Sequence, residues 1–308
     1  MKPAFLFAGQ GQQFYGMGRD LAAEFSEAAE VYETARERLG YDILHLDEES
    51  LGKTAYTQPA LFTLNHSLFR IFEKRGVLPS VVAGLSLGEY NALVAAGVLP
   101  FSGTVRLIAR RGEIMSDALE PGTTGMAAVL KADIQTVKDV ISLPEYKDKI
   151  DICNVNTHEQ IVIGGVSDAL APAAEELRAR GVRKIVPLAV SVASHMSLLR
   201  PAGELLRAEL EKCSFRNPNC LFINNIGAEL QESGFVDTLA RQISESTHMN
   251  ETILHMLEMG VDTFVELGPR GSLCGFVRAI AKKEEREAQI FNVYDVPSVW
   301  ETLERIAD

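Results

Sequence analysis

An α/β fold is predicted, built on a parallel sheet flanked by helices and interrupted by a smaller α/β unit. Short apolar runs that read as buried strands alternate with amphipathic helical patterns over most of the 308 residues. One run, Val81-Val82-Ala83, leads directly into Gly84-Leu85-Ser86-Leu87-Gly88 and then a helical pattern, the strand-turn-helix context of a nucleophile elbow. Between residues 123 and 190 the order becomes strand, helix, strand, strand, helix, strand, which is the split βαβ pattern of a ferredoxin-like unit.

The first strand is Ala4-Phe5-Leu6-Phe7, ending in Gly9-Gln10-Gly11-Gln12-Gln13. A dinucleotide fingerprint would need a third glycine at position 14, where Phe14 stands, so a Rossmann cofactor site is rejected. Those glycines let main-chain N–H groups approach a ligand, or they form a plain turn; the segment alone leaves both open. Helical patterns follow over residues 17–39 and 60–74, then the elbow strand and a helix over 87–96 with Gly97 as its stop. Residues 101–119 read as a helix burying Val105, Ile108, Ile114 and Met115, with Arg110 and Arg111 among them; Arg111 and Met115 share a face at i,i+4.

Pro121-Gly122 breaks the pattern. The inserted unit has strands over 126–130, 150–154, 160–164 and 183–187 and helices over 134–141 and 170–180. A strand-like stretch at 188–192 then leads to Ser194-His195, where a helix is expected to open. Helices at 202–212, 236–243, 252–259, 275–282 and 299–306 alternate with strands at 221–223, 263–267 and 290–293. The predicted organisation is a catalytic core of residues 1–122 and 191–308, with residues 123–190 as a ferredoxin-like subdomain.

Composition narrows the function. Hydrophobic residues make up 46% and charged residues 23%, and no run approaches the roughly 18 apolar residues that span a bilayer. The N-terminus lacks a charged-then-apolar leader, so a cytoplasmic protein with no membrane partner is expected. Cys153, Cys213, Cys220 and Cys274 form no C-x-x-C pair, which argues against a disulfide framework or a metal site. A net charge of −12 argues against nucleic acid. An acidic partner would have to dock on a local basic patch.

The elbow carries the chemistry. A Ser on such a turn projects its hydroxyl above the sheet edge, and Leu87 after it offers a helix-start N–H to a developing oxyanion. This implies an α/β-hydrolase-like core. A serine nucleophile also needs a base. Of the six histidines, His45, His66 and His255 have no special neighbours, His158 lies in a loop of the insert and His248 in a polar connection. His195 follows the insert where the chain re-enters the core and could face Ser86; the residues alone leave that pairing open.

Taken together, Phe7-Ala8-Gly9-Gln10-Gly11, Tyr56-Thr57-Gln58-Pro59-Ala60, Gly84-Leu85-Ser86-Leu87-Gly88-Glu89-Tyr90, Arg111-Gly112 with Met115, Asn154-Val155-Asn156, Ser194-His195 and Glu266-Leu267-Gly268-Pro269 resemble the malonyl-CoA:acyl-carrier-protein transacylase family over essentially the whole chain. The resemblance implies Ser86 as nucleophile, His195 as base, and the main-chain N–H groups of Gln10 and Leu87 as oxyanion hole. It implies Arg111 as the partner of the malonyl carboxylate, with Met115, Gln58 and Asn156 lining the pocket. The histidine would be oriented by a main-chain carbonyl from residues 246–250, with His248 supplying that backbone. Malonyl-CoA and acyl carrier protein are the implied partners, with no cofactor, in fatty-acid or polyketide synthesis. Leu85 stands where many relatives have His, and Arg270-Gly271 replaces a common Gly-Lys.

Two other readings share parts of this pattern. A serine thioesterase or acyl hydrolase has the same Ser, His and oxyanion hole and differs in admitting water. A non-catalytic carrier-binding subunit would keep only the fold, against which the presence of Ser86, Arg111 and His195 speaks.

Overall fold

Two five-stranded sheets organise the chain in a computed structural model that describes residues 3–307 except 189 and 191. In chain order the strands are Pro3–Phe7 (β1), Val81–Gly84 (β2), Thr124–Leu130 (β3), Ile150–Thr157 (β4), Gln160–Val166 (β5), Lys184–Pro187 (β6), Leu221–Phe222 (β7), Thr247–His248 (β8), Thr263–Leu267 (β9) and Gln289–Val293 (β10). The first sheet is wholly parallel, in the order β10-β9-β1-β2-β7. Its register aligns Phe7 with Gly84 on one side and Leu267 on the other, so three loops leave the sheet in one row. Open α/β sheets bind ligands beyond the carboxyl ends of their strands.

Side chains of β1 alternate between two apolar layers, as strand periodicity requires. Phe5 and Phe7 join the larger cluster, where Phe5 meets Phe69 and Phe72 edge-on with ring centroids 6.3 and 5.9 Å away. Ala4 and Leu6 face the opposite layer with Val81, Ala83, Ile253, Met256 and Phe264. Each large side chain so buried contributes about 1.5–3 kcal/mol.

The second sheet runs β6-β3-β5-β4-β8, with its first four strands antiparallel in the ferredoxin-like order. Ala127, Val129, Ile161 and Ile163 pack under the helices Ile134–Ile141 and Ser167–Ala179, while Met126, Ala128, Cys153 and Val162 close onto the main core. Both faces are therefore covered. The fifth strand, β8, comes from outside the insert and lies parallel to β4, with Asn154 Nδ2 donating to Thr247 Oγ1 at 2.7 Å.

Several elements differ from their sequence reading. The helix expected over 17–39 is divided by Phe25, whose extended backbone turns its buried ring toward Trp300, leaving helices Arg19–Glu24 and Ser26–Leu39. The helix expected from residue 60 begins at Thr54 and runs through Pro59 to Lys74. No helix opens at His195: a short 3₁₀ turn at Ser197–Leu199 precedes the Arg200–Leu210 helix. In the strand-like stretch 188–192, Leu188, Val190 and Val192 are not in a strand, and Ala189 and Ser191 lie outside the described residues. Among the described residues no helix is long and apolar enough to cross a membrane.

Candidate active site

At the carboxyl edge of β2 the chain turns sharply into the Leu87–Ala95 helix. The turn closes only with glycine on both sides. A Cβ on Gly84 would lie 2.0 Å from the carbonyl carbon of Gly88, and one on Gly88 would lie 2.1 Å from the Phe7 carbonyl oxygen. Between them Ser86 holds φ 53° and ψ −103°, a conformation that costs a non-glycine residue about 1–3 kcal/mol and persists only when its surroundings enforce it. Asn225 supplies the restraint, its Oδ1 accepting from the Ser86 N–H at 2.7 Å.

His195 meets this serine. Its Nε2 lies 2.8 Å from Ser86 Oγ, and its Nδ1 lies 2.7 Å from the main-chain oxygen of Gln242. A carbonyl only accepts, so Nδ1 carries the proton and Nε2 offers its lone pair to the serine hydroxyl. Gln242 is the last residue of the Phe235–Gln242 helix, and the final carbonyls of a helix have no intrahelical donor. One of them takes the His195 ring. The next residue, Ile243, accepts from the His195 N–H at 2.9 Å. The negative end of that helix favours positive charge on the imidazole.

This corrects the orienting group. His248 does not supply the carbonyl: its oxygen accepts from Thr252 Oγ1, its N–H donates to Asn225 O, and its half-exposed ring faces Glu251. His195 uses the carbonyls of the preceding helix end, whereas the β8 backbone is engaged in the second sheet. Burial, reinforced by the charge of Arg111, pushes the His195 pKa down to about 4. The imidazole is therefore neutral at pH 7 and able to accept a proton.

Arg111 is the third member. The Phe101–Asp117 helix packs closely against Thr54–Lys74 at Gly112, where a Cβ would stand 2.9 Å from both Ala55 Cα and Thr54 O. That approach sends Arg111 inward, 1% exposed, while Arg110 stays outside with Glu113 and Glu209. The Arg111 guanidinium donates to Gln58 Oε1 at 2.8 Å, Gln242 Oε1 at 2.9 Å and Ser86 Oγ at 3.1 Å. Among the described residues its hydrogen-bond partners include no carboxylate. A fixed cation stands beside the elbow serine, able to pair with an incoming anion.

Gln58 also reaches Gln10 Oε1 at 3.3 Å and Met115 Sδ at 3.4 Å, which draws both residues into the cluster. Leu87 begins its helix, so its N–H belongs to the first turn, whose donors lack helical acceptors. Gly9 passes close enough to Leu85 that a Cβ would come within 2.7 Å of its carbonyl oxygen, bringing the Gln10 backbone beside the elbow. Asn156, buried on β4 with an unpartnered Oδ1, stands outside this hydrogen-bonded cluster. Gln242, Asn225 and Glu89 belong to it and had no role in the sequence reading. The only sequence signal for Asn225 is its place just beyond an apolar run, at the edge where Ser86 also lies.

A family model described as acyl transferase domain matches residues 4–294. The malonyl CoA-acyl carrier protein transacylase of Escherichia coli K12 is 36% identical over 284 residues, covering 90% of this chain and 92% of that protein. The protein of the same description from Bacillus subtilis 168 is 35% identical over 289 residues, covering 92% and 91%. Among solved structures, MCAT from Streptococcus pneumoniae superimposes with a TM-score of 0.93 at 38% identity, covering 99% of this chain and 100% of that one. A type II PKS acyl-carrier protein in complex with its malonyl-transacylase also matches, at TM-score 0.92 and 33% identity, over 99% and 100% of the respective chains. A serine on a strained elbow, paired with a neutral histidine and matched along nearly its entire length by that model, is the mark of lineage here: the chain belongs to the acyl transferase domain family.

Proposed function

We propose that this chain transfers a malonyl group from malonyl-CoA to the phosphopantetheine thiol of an acyl carrier protein through a malonyl-Ser86 ester. Ser86 Oγ attacks the thioester carbonyl and His195 Nε2 takes its proton. The tetrahedral oxyanion lies between the N–H groups of Gln10 and Leu87, one such donor being worth about 3–4 kcal/mol in the transition state. Collapse breaks the C–S bond, and His195 returns its proton to the departing sulfur, so that CoA leaves as the free thiol and the imidazole is neutral again. The carrier thiol then attacks the ester, His195 takes its proton, and Ser86 leaves as the hydroxyl. The same two side chains serve both half-reactions, and no cofactor takes part.

The observation that carries the malonyl assignment is Arg111, buried and 3.1 Å from the nucleophile with no carboxylate among its described hydrogen-bond partners. A guanidinium fork matches a carboxylate bidentately. The test is intact mass after incubation with malonyl-CoA, then with holo carrier protein. A malonyl adduct that persists in water and discharges to the thiol is expected. An adduct lost rapidly to water identifies a hydrolase, and no adduct identifies a non-catalytic chain.

For a carrier of acidic character, basic side chains free of acidic neighbours are the docking candidates. Arg75 is held by Glu27, Arg178 by Glu175 and Arg180 by Glu176. Arg183 and Lys184 are exposed at the start of edge strand β6. Reversing both charges should raise the KM for carrier protein at low salt and leave malonyl-serine formation unchanged, with the difference shrinking as salt is added. An unchanged KM at low salt rejects this patch.

A further inference from the structure

Glu89 is fully buried three residues beyond the nucleophile, on the first turn of the elbow helix. Each of its oxygens meets one of the residues that restrain the catalytic pair. Oε1 accepts from the Asn225 N–H at 2.9 Å, and Asn225 Oδ1 holds the Ser86 N–H. Oε2 accepts from Gln242 Nε2 at 2.5 Å, and the Gln242 carbonyl holds His195 Nδ1. We propose that Glu89 is a positioning residue whose carboxylate locks the brace of Ser86 to the brace of His195, setting the geometry of the pair in the reaction proposed above.

Donor and acceptor chemistry fixes the polarity of this link. The Asn225 N–H can only donate. Arg111 has only donors, so Gln242 must turn Oε1 toward it, which leaves Nε2 to donate to both the Ser86 carbonyl at 2.8 Å and Glu89. Glu89 is thus faced by two donors and satisfies both only when ionised. A protonated carboxyl or an amide would set a donor against a donor. The charged and titratable groups around it are Arg111, from the neighbouring helix, and Tyr90, from its own; the Asn225 and Gln242 sides present neutral groups. Burial raises the Glu89 pKa to about 7 against the opposing pull of Asn225, Gln242 and Arg111. With the ionised form competent, serine reactivity should fall as pH drops through about 7, well above the range in which His195 becomes protonated.

The test reads serine reactivity in two ways, by malonyl transfer and by the rate at which a fluorophosphonate labels Ser86, which needs no acyl substrate. In the wild-type protein both rates should fall below about pH 7. Glu89→Gln should lower kcat about 100-fold with KM for malonyl-CoA within about two-fold, slow labelling comparably, and lose the limb near pH 7. A wild-type labelling rate that is level between pH 5 and 8 overturns the proposal whether or not the variant folds. So does a folded Glu89→Gln protein that labels at the wild-type rate. If the wild-type chain labels with this pH dependence but takes no malonyl group, the transfer reading fails and the positioning role stands.

Discussion

Ser86→Ala is expected to lower malonyl transfer by a factor on the order of 10⁶ and to leave no acyl adduct on the protein, because removal of a serine nucleophile leaves only binding and oxyanion stabilisation. The fold should survive. The hydroxyl makes hydrogen bonds to His195 and Arg111, whereas the turn is restrained through the Ser86 N–H to Asn225 and the Ser86 carbonyl to Gln242, which the substitution keeps. A thermal melt close to wild type beside a null mass shift is the result sought. His195→Ala should cost about 10²–10⁴ in the acylation step, the usual share of a general base. Substantial transfer by the alanine variant at position 86 would require direct attack by the carrier thiol and would remove the covalent route.

Arg111→Ala should collapse the preference for malonyl over acetyl by roughly 30- to 4,000-fold, the equivalent of the 2–5 kcal/mol for losing one partner of a buried charged hydrogen bond. In the intact protein an acetyl group leaves the buried guanidinium with no carboxylate hydrogen-bonded to it, whereas malonyl brings one. Truncation also leaves the oxygens of Gln58 and Gln242 without their donor, which lowers stability by about 1–3 kcal/mol for each buried acceptor. The decisive readout is therefore the ratio of kcat/KM values for the two acyl-CoA substrates, in which a common loss of folded protein cancels. Arg111→Lys should restore only part of that ratio, since an ammonium cannot form the two-pronged pair. An unchanged ratio in the alanine variant would mean that the acyl carboxylate is held elsewhere.

Local chemistry explains which parts of this architecture could be read from sequence. The elbow was legible because its strand, glycines and helix start are contiguous. Arg111 was legible in part, standing three residues after Ile108 and four before Met115 on a face that the structure buries. Gln242 was not, because nothing near it in the chain marks a carbonyl that His195, 47 residues away, will use. Sequence reading placed the orienting backbone in residues 246–250, past the helix end where free carbonyls occur. Glu89 sat inside the elbow motif, yet its role depends on Asn225 and Gln242, which only the fold brings to it. The break at Phe25 was hidden for a related reason: an unbroken helical pattern does not reveal one ring demanded by the core.

The parallel pairing of Thr247–His248 with β4 bears on how the molecule breathes. Ser197, just past His195, also clasps Asp151 of β4, through both its N–H and its hydroxyl at 2.7 Å. Stitched from both flanks, the ferredoxin-like portion cannot swing away as a lid without tearing the β4–β8 pairing and the Ser197–Asp151 clasp. Access for the bulky thioesters must therefore come from side-chain and loop adjustment, and deuterium should enter the amides of β8 and its β4 partner together and slowly.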